Sequence, residues 1–201
     1  MKKAVFIRLD KIGDLVCTLP VDQVQFLKDW DITWVIAKGL SFVPLNTDPR
    51  RKFIELDKND VASSKLQLQK FLEDHRPDVA VSFQAPWWVH FQIWKSKVPL
   101  RIGVLSKWHS WLFLNSGVRQ KRSLSVKHEA DYNLDLVRQI NPQQITEASA
   151  PVLKMLPPQN KDALTKHSLT PHSYVVVHPG MAGSALNWPV ENYIELIQRL
   201  L

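Results

Sequence analysis

The chain has 201 residues, 45% of them apolar and 22% charged, with a formal net charge of +7. That length allows one full domain, or one domain plus part of another, and the composition excludes a disordered or fibrous chain. No run of 18 uncharged apolar residues exists, Met1-Lys2-Lys3 leads into a strand pattern and not a secretory leader, and the lone Cys17 excludes an intrachain disulfide, which fits a reducing, cytoplasmic setting.

Ala4–Leu9 (AVFIRL) reads as a buried first strand. Asp14–Trp30 follows with Leu15, Leu19, Val24, Phe26 and Leu27 at helical spacing, and Pro20 is placed to kink that helix. Ile32–Ala37 (ITWVIA) is a second strand, Leu40–Leu45 has room for a short helix, and Lys52–Leu56 (KFIEL) is a third strand. Val61–Asp74 is a charged amphipathic helix carrying Leu66, Leu68, Phe71 and Leu72. Asp78–Phe83 (DVAVSF) is a fourth strand, Trp87–Trp94 begins another helix, and Arg101–Leu105 (RIGVL) is a short fifth strand. Ser106–Lys127 is a long basic segment with no assignable period, and His128–Ile140 is helical with Tyr132, Leu134, Leu136, Val137 and Ile140 as core candidates.

Residues 141–172 are rich in Pro, Gln, Ser and Thr and read as an interdomain linker, with a short helix at Asn160–His167. Tyr174–His178 (YVVVH) reads as a new buried strand, and Pro189–Leu201 as a helix with Pro189 at its first position and Glu191 in its first turn. Strands alternating with helices predict an α/β fold with a parallel sheet and right-handed crossovers, whose ligands gather at the carboxyl ends of the strands. The expected organisation is a domain over 1–140, a linker over 141–172 and the beginning of a second domain over 173–201. A lone strand–loop–helix cannot bury both faces of its strand, so the chain reads as truncated.

Charge is unevenly placed. No carboxylate lies between Asp78 and Glu129, whereas that stretch holds Lys95, Lys97, Arg101, Lys107, Arg119, Lys121, Arg122 and Lys127. Trp87, Trp88, Trp94, Trp108 and Trp111 lie there too. Three readings stand side by side: a solvated basic surface over core tryptophans, an anionic lipid or glycolipid contact, and a nucleic-acid contact.

Two loops can carry chemistry. Arg8-Leu9-Asp10-Lys11-Ile12-Gly13-Asp14-Leu15 joins a strand to a helix; Gly13 allows a tight turn and Asp14 falls at the helix start. Asp14 is either an N-cap or a general base at the carboxyl edge of the first strand, and capping bonds would weaken it as a base. His178-Pro179-Gly180-Met181-Ala182-Gly183-Ser184 precedes a helix and offers backbone N–H groups, with the Ser184 hydroxyl, to a pyrophosphate; an ordinary strand–helix connection is the alternative.

The first loop resembles the R-x-x-x-x-G-D opening of the ADP-heptose:lipopolysaccharide heptosyltransferases, glycosyltransferase family 9. Three further segments match in order: Asp78–Gln84 with Arg101–Gly103; Lys127-His128-Glu129 with Tyr132 and Leu136; and Val175–Gly180 with Asn187-Trp188-Pro189. The resemblance implies a GT-B architecture, with a Rossmann-like N-terminal acceptor-binding domain and the start of a second Rossmann-like, nucleotide-sugar-binding domain. It implies inverting, metal-independent transfer from an ADP-sugar to an anionic lipopolysaccharide core glycolipid, with no cofactor, at the inner face of the inner membrane. Asp14 would be the catalytic base, and Lys11 could stabilise nearby negative charge. Lys107, Arg119, Lys121 and Arg122 would hold acceptor carboxylates and phosphates. Gly180, Met181, Gly183 and Ser184 would cradle the donor diphosphate. Leu186 departs from the family, where a lysine is common two residues before the W-P pair. With most of a donor domain missing, the chain alone is expected to be inactive.

Other signals point nowhere. Asp29-Trp30-Asp31 imitates a D-x-D metal motif but precedes a strand instead of following one, and His90, His109, His167 and His172 lack zinc spacing. Cys17 reads as a packed thiol, and no G-x-G-x-x-G follows the first strand. Two alternatives to a transferase remain: a non-catalytic module for anionic glycolipid, and a nucleic-acid binder, which no recognised motif supports.

Overall fold

The computed structural model describes residues 1–157, 162–179 and 187–201. The chain forms two compact units, Met1–Pro157 and Pro158–Leu201.

The first unit is built on β1 (Lys3–Arg8), β2 (Asp31–Ala37), β4 (Lys52–Leu56), β5 (Val79–Gln84), β6 (Leu100–Val104) and β7 (Ser116–Val118), in the order β4-β2-β1-β5-β6-β7. Every neighbouring pair in this sheet is parallel. The chain builds outward from β1 through β2 and β4, then returns to β1's other side with β5. The order therefore reverses between β1 and β5, the place where open α/β sheets bind ligands at their carboxyl edge. A minor antiparallel pair joins β3 (Thr47–Asp48) to β8 (Lys154–Met155).

Alternation along β1 divides the core. Ala4 and Phe6 face a cluster with Leu15, Leu19, Trp34, Phe83, Leu134 and Val137, under helices α1 (Ile12–Thr18) and α6 (Glu129–Val137). Val5 and Ile7 face Leu68, Leu72, Val89 and Ile93, under α3 (Val61–His75) and α4 (Trp87–Lys95). Both faces are covered, which is why these strands read as nearly continuous apolar runs. Phe6, Trp34 and Phe83 form an aromatic centre with ring separations of 5.3–5.8 Å. Trp34 Nε1 donates to Asp22 Oδ2 at 2.8 Å, and Arg51 grips the same carboxylate through Nε and Nη2 at 2.6 and 2.8 Å.

Several expectations are corrected. The helix predicted over Asp14–Trp30 is α-helical only to Thr18 and continues as 3-10 turns at Leu19–Gln23 and Gln25–Leu27. Pro20, which has no N–H to donate, stands at the changeover. Strand β7 lies inside the segment that showed no period. Its Gly117 pairs with Gly103 of β6 so closely that a Cβ there would sit 2.0 Å from the Gly103 carbonyl oxygen. Residues 141–157, read as linker, are part of the first unit: Ile145 is buried in its core, and β8 completes the minor sheet.

In the second unit, α7 (Asp162–Lys166) and α8 (Val190–Leu200) are helical, with Pro189 as the N-cap of α8 and not its first residue. Tyr174–His178 is not a strand, and Val175 and Val176 are exposed. A strand needs a hydrogen-bonding neighbour, and no described residue supplies one.

Candidate active site

The last residue of β1, Arg8, falls on the same sheet face as Phe6 by strand alternation, beneath α1 and α6. The β1–β5 register shifts between Ile7 and Arg8, so that Arg8 lies opposite Gln84. Shifts of this kind re-aim side chains at strand ends. Arg8 is 2% exposed. Its Nε donates to Asp10 Oδ1 at 2.6 Å and its Nη1 to Asn133 Oδ1 at 3.4 Å. Its Nη2 lies 3.2 Å from Asp14 Oδ1 and 3.5 Å from Glu129 Oε1.

Helix α6 supplies Glu129 and Asn133 one turn apart, so both reach the same face. Arg122, from the loop before α6, completes the cluster. It is ion-paired to Glu129, donates from Nη2 to Asn133 Oδ1 at 3.1 Å and from Nε to Gln120 Oε1 at 2.8 Å, and lies over the Tyr132 ring. Asn133 Nδ2 donates to Thr18 Oγ1 at 3.0 Å, and that hydroxyl donates to the Asp14 carbonyl at 2.6 Å. The two guanidinium groups face three carboxylates, Asp10, Asp14 and Glu129, leaving a net charge of −1.

The carboxylates are not equivalent. Burial pushes the Asp10 carboxyl above its ordinary range against the opposing pull of Arg8, which binds it closely. Glu129 is shared by Arg8 and Arg122. Asp14 keeps 36% of its side chain exposed and meets Arg8 through Oδ1, 3.2 Å from Nη2. It is not the N-cap: Lys11 holds that position, and Asp14 is the third residue of α1, in its first turn. Gly13 is not needed for a turn either. A Cβ there would meet nothing within 4 Å, so the first turn of α1 lies uncovered beside Asp14. Of the three acids Asp14 is the most exposed, with 36% of its side chain accessible against 26% for Asp10 and 29% for Glu129. Nearby, burial followed by Glu129 and Asp14 raises the Cys17 thiol, which suits packing and not nucleophilic attack.

The remaining residues singled out from the sequence separate into groups. Lys11, Lys107, Arg119 and Lys121 are exposed. Arg122 is half-buried, and its guanidinium is committed to Glu129, Asn133 and Gln120, so it builds the site instead of standing free for a ligand. Gly180, Met181, Gly183 and Ser184 lie outside the described residues. His128 caps α6, its Nδ1 accepting from Ala130 N at 3.2 Å. Asp31 of the imitation metal motif is bound to Lys52 at 2.5 Å, at the amino-terminal edge of the sheet. A broad concavity of about 560 Å³ opens at that same edge, between Met1, Trp30, Arg50 and Lys52, away from the acidic cluster.

Arg8, Asp10, Glu129 and Asn133 were not singled out as site residues. The available signal was Arg8 as first residue of the R-x-x-x-x-G-D loop, together with a Glu129–Asn133 spacing of one helical turn.

No protein-family model matches the chain. A Haemophilus influenzae protein named "Putative glycosyltransferase" is 28% identical over 221 residues, covering 100% of this chain and 61% of the relative. A solved glycosyl transferase family 9 structure from Veillonella parvula matches with a TM-score of 0.79 at 21% identity, over 99% of this chain and 60% of that one. Escherichia coli heptosyltransferase WaaC, solved with ADP, matches at 0.65 and 18% identity over 98% and 63% of the two chains. Escherichia coli ADP-heptose lps heptosyltransferase II matches at 0.68 and 16% over 100% and 61%. The chain thus spans about three fifths of the length of these relatives. Throughout that span it has the α/β fold of glycosyltransferase family 9 heptosyltransferases, the family its four motifs resemble.

Proposed function

We propose that this chain is the acceptor-binding part of a heptosyltransferase-like glycosyltransferase. It would serve inverting, metal-independent transfer of a heptose-type sugar from an ADP-sugar to an anionic core glycolipid. The whole-chain likeness to a glycosyltransferase and to heptosyltransferase folds supports this, as do the ligands of neighbours solved with ADP and with ADP-2-deoxy-2-fluoro heptose. The single observation that carries it is Asp14, an accessible carboxylate tethered by buried Arg8 where the strand order reverses.

In the step proposed, an acceptor hydroxyl oxygen attacks the anomeric carbon of the donor. The bond from that carbon to the ADP phosphate oxygen breaks, ADP leaves with its electron pair, and the hydroxyl proton passes to Asp14. Asp14 must then lie within about 3 Å of the hydroxyl oxygen, which the uncovered first turn of α1 permits. Arg8 acts as a positioning residue. It fixes the carboxylate without burying it, and its charge is divided among three acids. Exposed Lys107, Arg119 and Lys121 would meet acceptor phosphates and carboxylates. Gly180, Met181, Gly183 and Ser184 would hold the donor diphosphate, as the resemblance implies.

The test uses a chimera in which this chain replaces the matching part of the Haemophilus relative, with ADP release as readout. Asp14→Asn should lower kcat by about 10²–10⁴-fold with the acceptor KM nearly unchanged. The 201-residue chain alone should bind deacylated core oligosaccharide but release no ADP; release would overturn the need for further donor residues. One observation favours a second reading, a non-catalytic module for anionic glycolipid: Asp14 is itself an ion-pair partner of Arg8. That reading requires the unmutated chimera to release no ADP and Asp14→Asn to leave oligosaccharide binding unchanged.

A further inference from the structure

Of the five tryptophans in the basic stretch, Trp88 is buried, whereas Trp87, Trp94, Trp108 and Trp111 are exposed. The core-tryptophan reading therefore fails for four of them. Two sit on α5 (Trp108–Phe113), a six-residue helix whose polarity is reversed. His109, Ser110 and Phe113 point inward, while Trp108 (71% exposed), Trp111 (55%) and Leu112 (62%) share the outward face at helical spacing.

The arrangement is clamped. His109 Nδ1 lies 3.1 Å from His90 Nδ1, and the far nitrogen of His90 is 2.9 Å from Ser82 Oγ. Phe113 packs against the rings of Phe91 and Trp94 at 5.5 and 5.8 Å, and Arg101 Nε donates to the Phe113 carbonyl at 2.8 Å. Exposed cations flank the apolar face: Lys107 immediately precedes it, and the Arg119 guanidinium stacks 5.1 Å from the Trp111 ring. No carboxylate occurs anywhere from residue 79 to 128.

We propose that α5 is an interfacial anchor that seats the first unit on an anionic phospholipid surface. Trp108, Trp111 and Leu112 enter the boundary between headgroups and acyl chains, and Lys107 and Arg119 remain among the phosphates. Tryptophan beside arginine or lysine suits that boundary, because the ring is apolar with one polar edge and the cations meet lipid phosphate. No described helix is long and apolar enough to cross a membrane, so the contact is with the surface.

The experiment is cosedimentation of the full chain with vesicles of phosphatidylglycerol and phosphatidylcholine. These contain no glycolipid acceptor, so the result is independent of the transfer reading. Binding should occur to the mixed vesicles and fall on pure phosphatidylcholine or in high salt. Trp108→Ser with Leu112→Ser should weaken it by about tenfold or more. Leu66→Ser, an equally exposed apolar loss on α3, should leave it unchanged. Wild-type tryptophan fluorescence should be quenched by brominated acyl chains, a readout that stands even if the double variant misfolds. The proposal is overturned by absence of binding to anionic vesicles, by unquenched fluorescence, by a folded double variant that binds normally, or by tighter binding to a single-stranded oligonucleotide.

Discussion

Replacing Asp14 and Asp10, one at a time, by asparagine separates catalysis from architecture. Asp10 accepts the 2.6 Å bond from buried Arg8, so Asp10→Asn weakens the acceptor for a buried guanidinium, while relief of the carboxylate's own burial offsets part of the loss and leaves a cost of about 1–2 kcal/mol. Asp14 is 36% exposed and 3.2 Å from the same guanidinium. Its charge is screened by water, and Arg8 keeps Asp10 and Glu129 when it is lost, so Asp14→Asn should cost less than about 1 kcal/mol. In a unit of 157 residues, each kcal/mol moves Tm by about 2–4 °C, and urea midpoints should follow the same order. Activity in the chimera should rank the other way, with Asp14→Asn nearly inactive and Asp10→Asn retaining measurable turnover. The reasoning is refuted if Asp14→Asn unfolds as readily as Asp10→Asn, or if it alone keeps full activity.

Gly13→Ala places a methyl in open space within α1, so it should raise stability by about 0.5–1 kcal/mol while weakening acceptor binding, read by urea unfolding and by titration with core oligosaccharide. Gly117→Ala drives a Cβ against the Gly103 carbonyl oxygen and should destabilise by about 2–4 kcal/mol in the same unfolding assay. Burial, with His109 and Lys107 nearby, lowers His90 from 6.5 to about 4. The folded value lies below the unfolded one, so this contribution is complete above pH 6.5 and is lost as pH falls toward 4, by about 3 kcal/mol in all. Urea midpoints measured across that range should show the decline, and His90→Gln should flatten it.

The sheet was legible because parallel strands covered on both faces leave apolar runs that turns interrupt. KFIEL at 52–56 matches β4 to the residue. What stayed hidden depends on partners distant in sequence. Strand β7 has only three residues, one of them glycine, and its conformation is set by pairing with β6, not by a period of its own. Asp14 was visible through its motif, but Arg8 meets Asn133 and Glu129 across 125 and 121 residues, and no local pattern carries such a contact. The partners of Arg122 stayed hidden for a related reason. A cation in a run of cations looks solvated, until Glu129, the first acid after that run, folds back onto it.

Arg122 also ties the two halves of the proposal together. The loop that displays Arg119 and Lys121 is the loop that delivers Arg122 to Glu129 and Asn133. Asn133 in turn holds Thr18, whose hydroxyl bonds the backbone of Asp14. Under the proposed function, a pull on the loop by acceptor phosphate would reach the candidate base through three side chains and one ion pair. Removing Arg122 would leave Glu129 to Arg8 alone, which already divides its charge between Asp10 and Asp14. Arg122→Gln should draw Arg8 toward Glu129 and loosen Asp14, so kcat should fall in the chimera with acceptor affinity largely kept. Arg119→Gln or Lys121→Gln should do the reverse, raising KM and sparing kcat. If all three variants change KM alone, the loop is a binding strip and the chain from Arg122 to Asp14 carries no coupling.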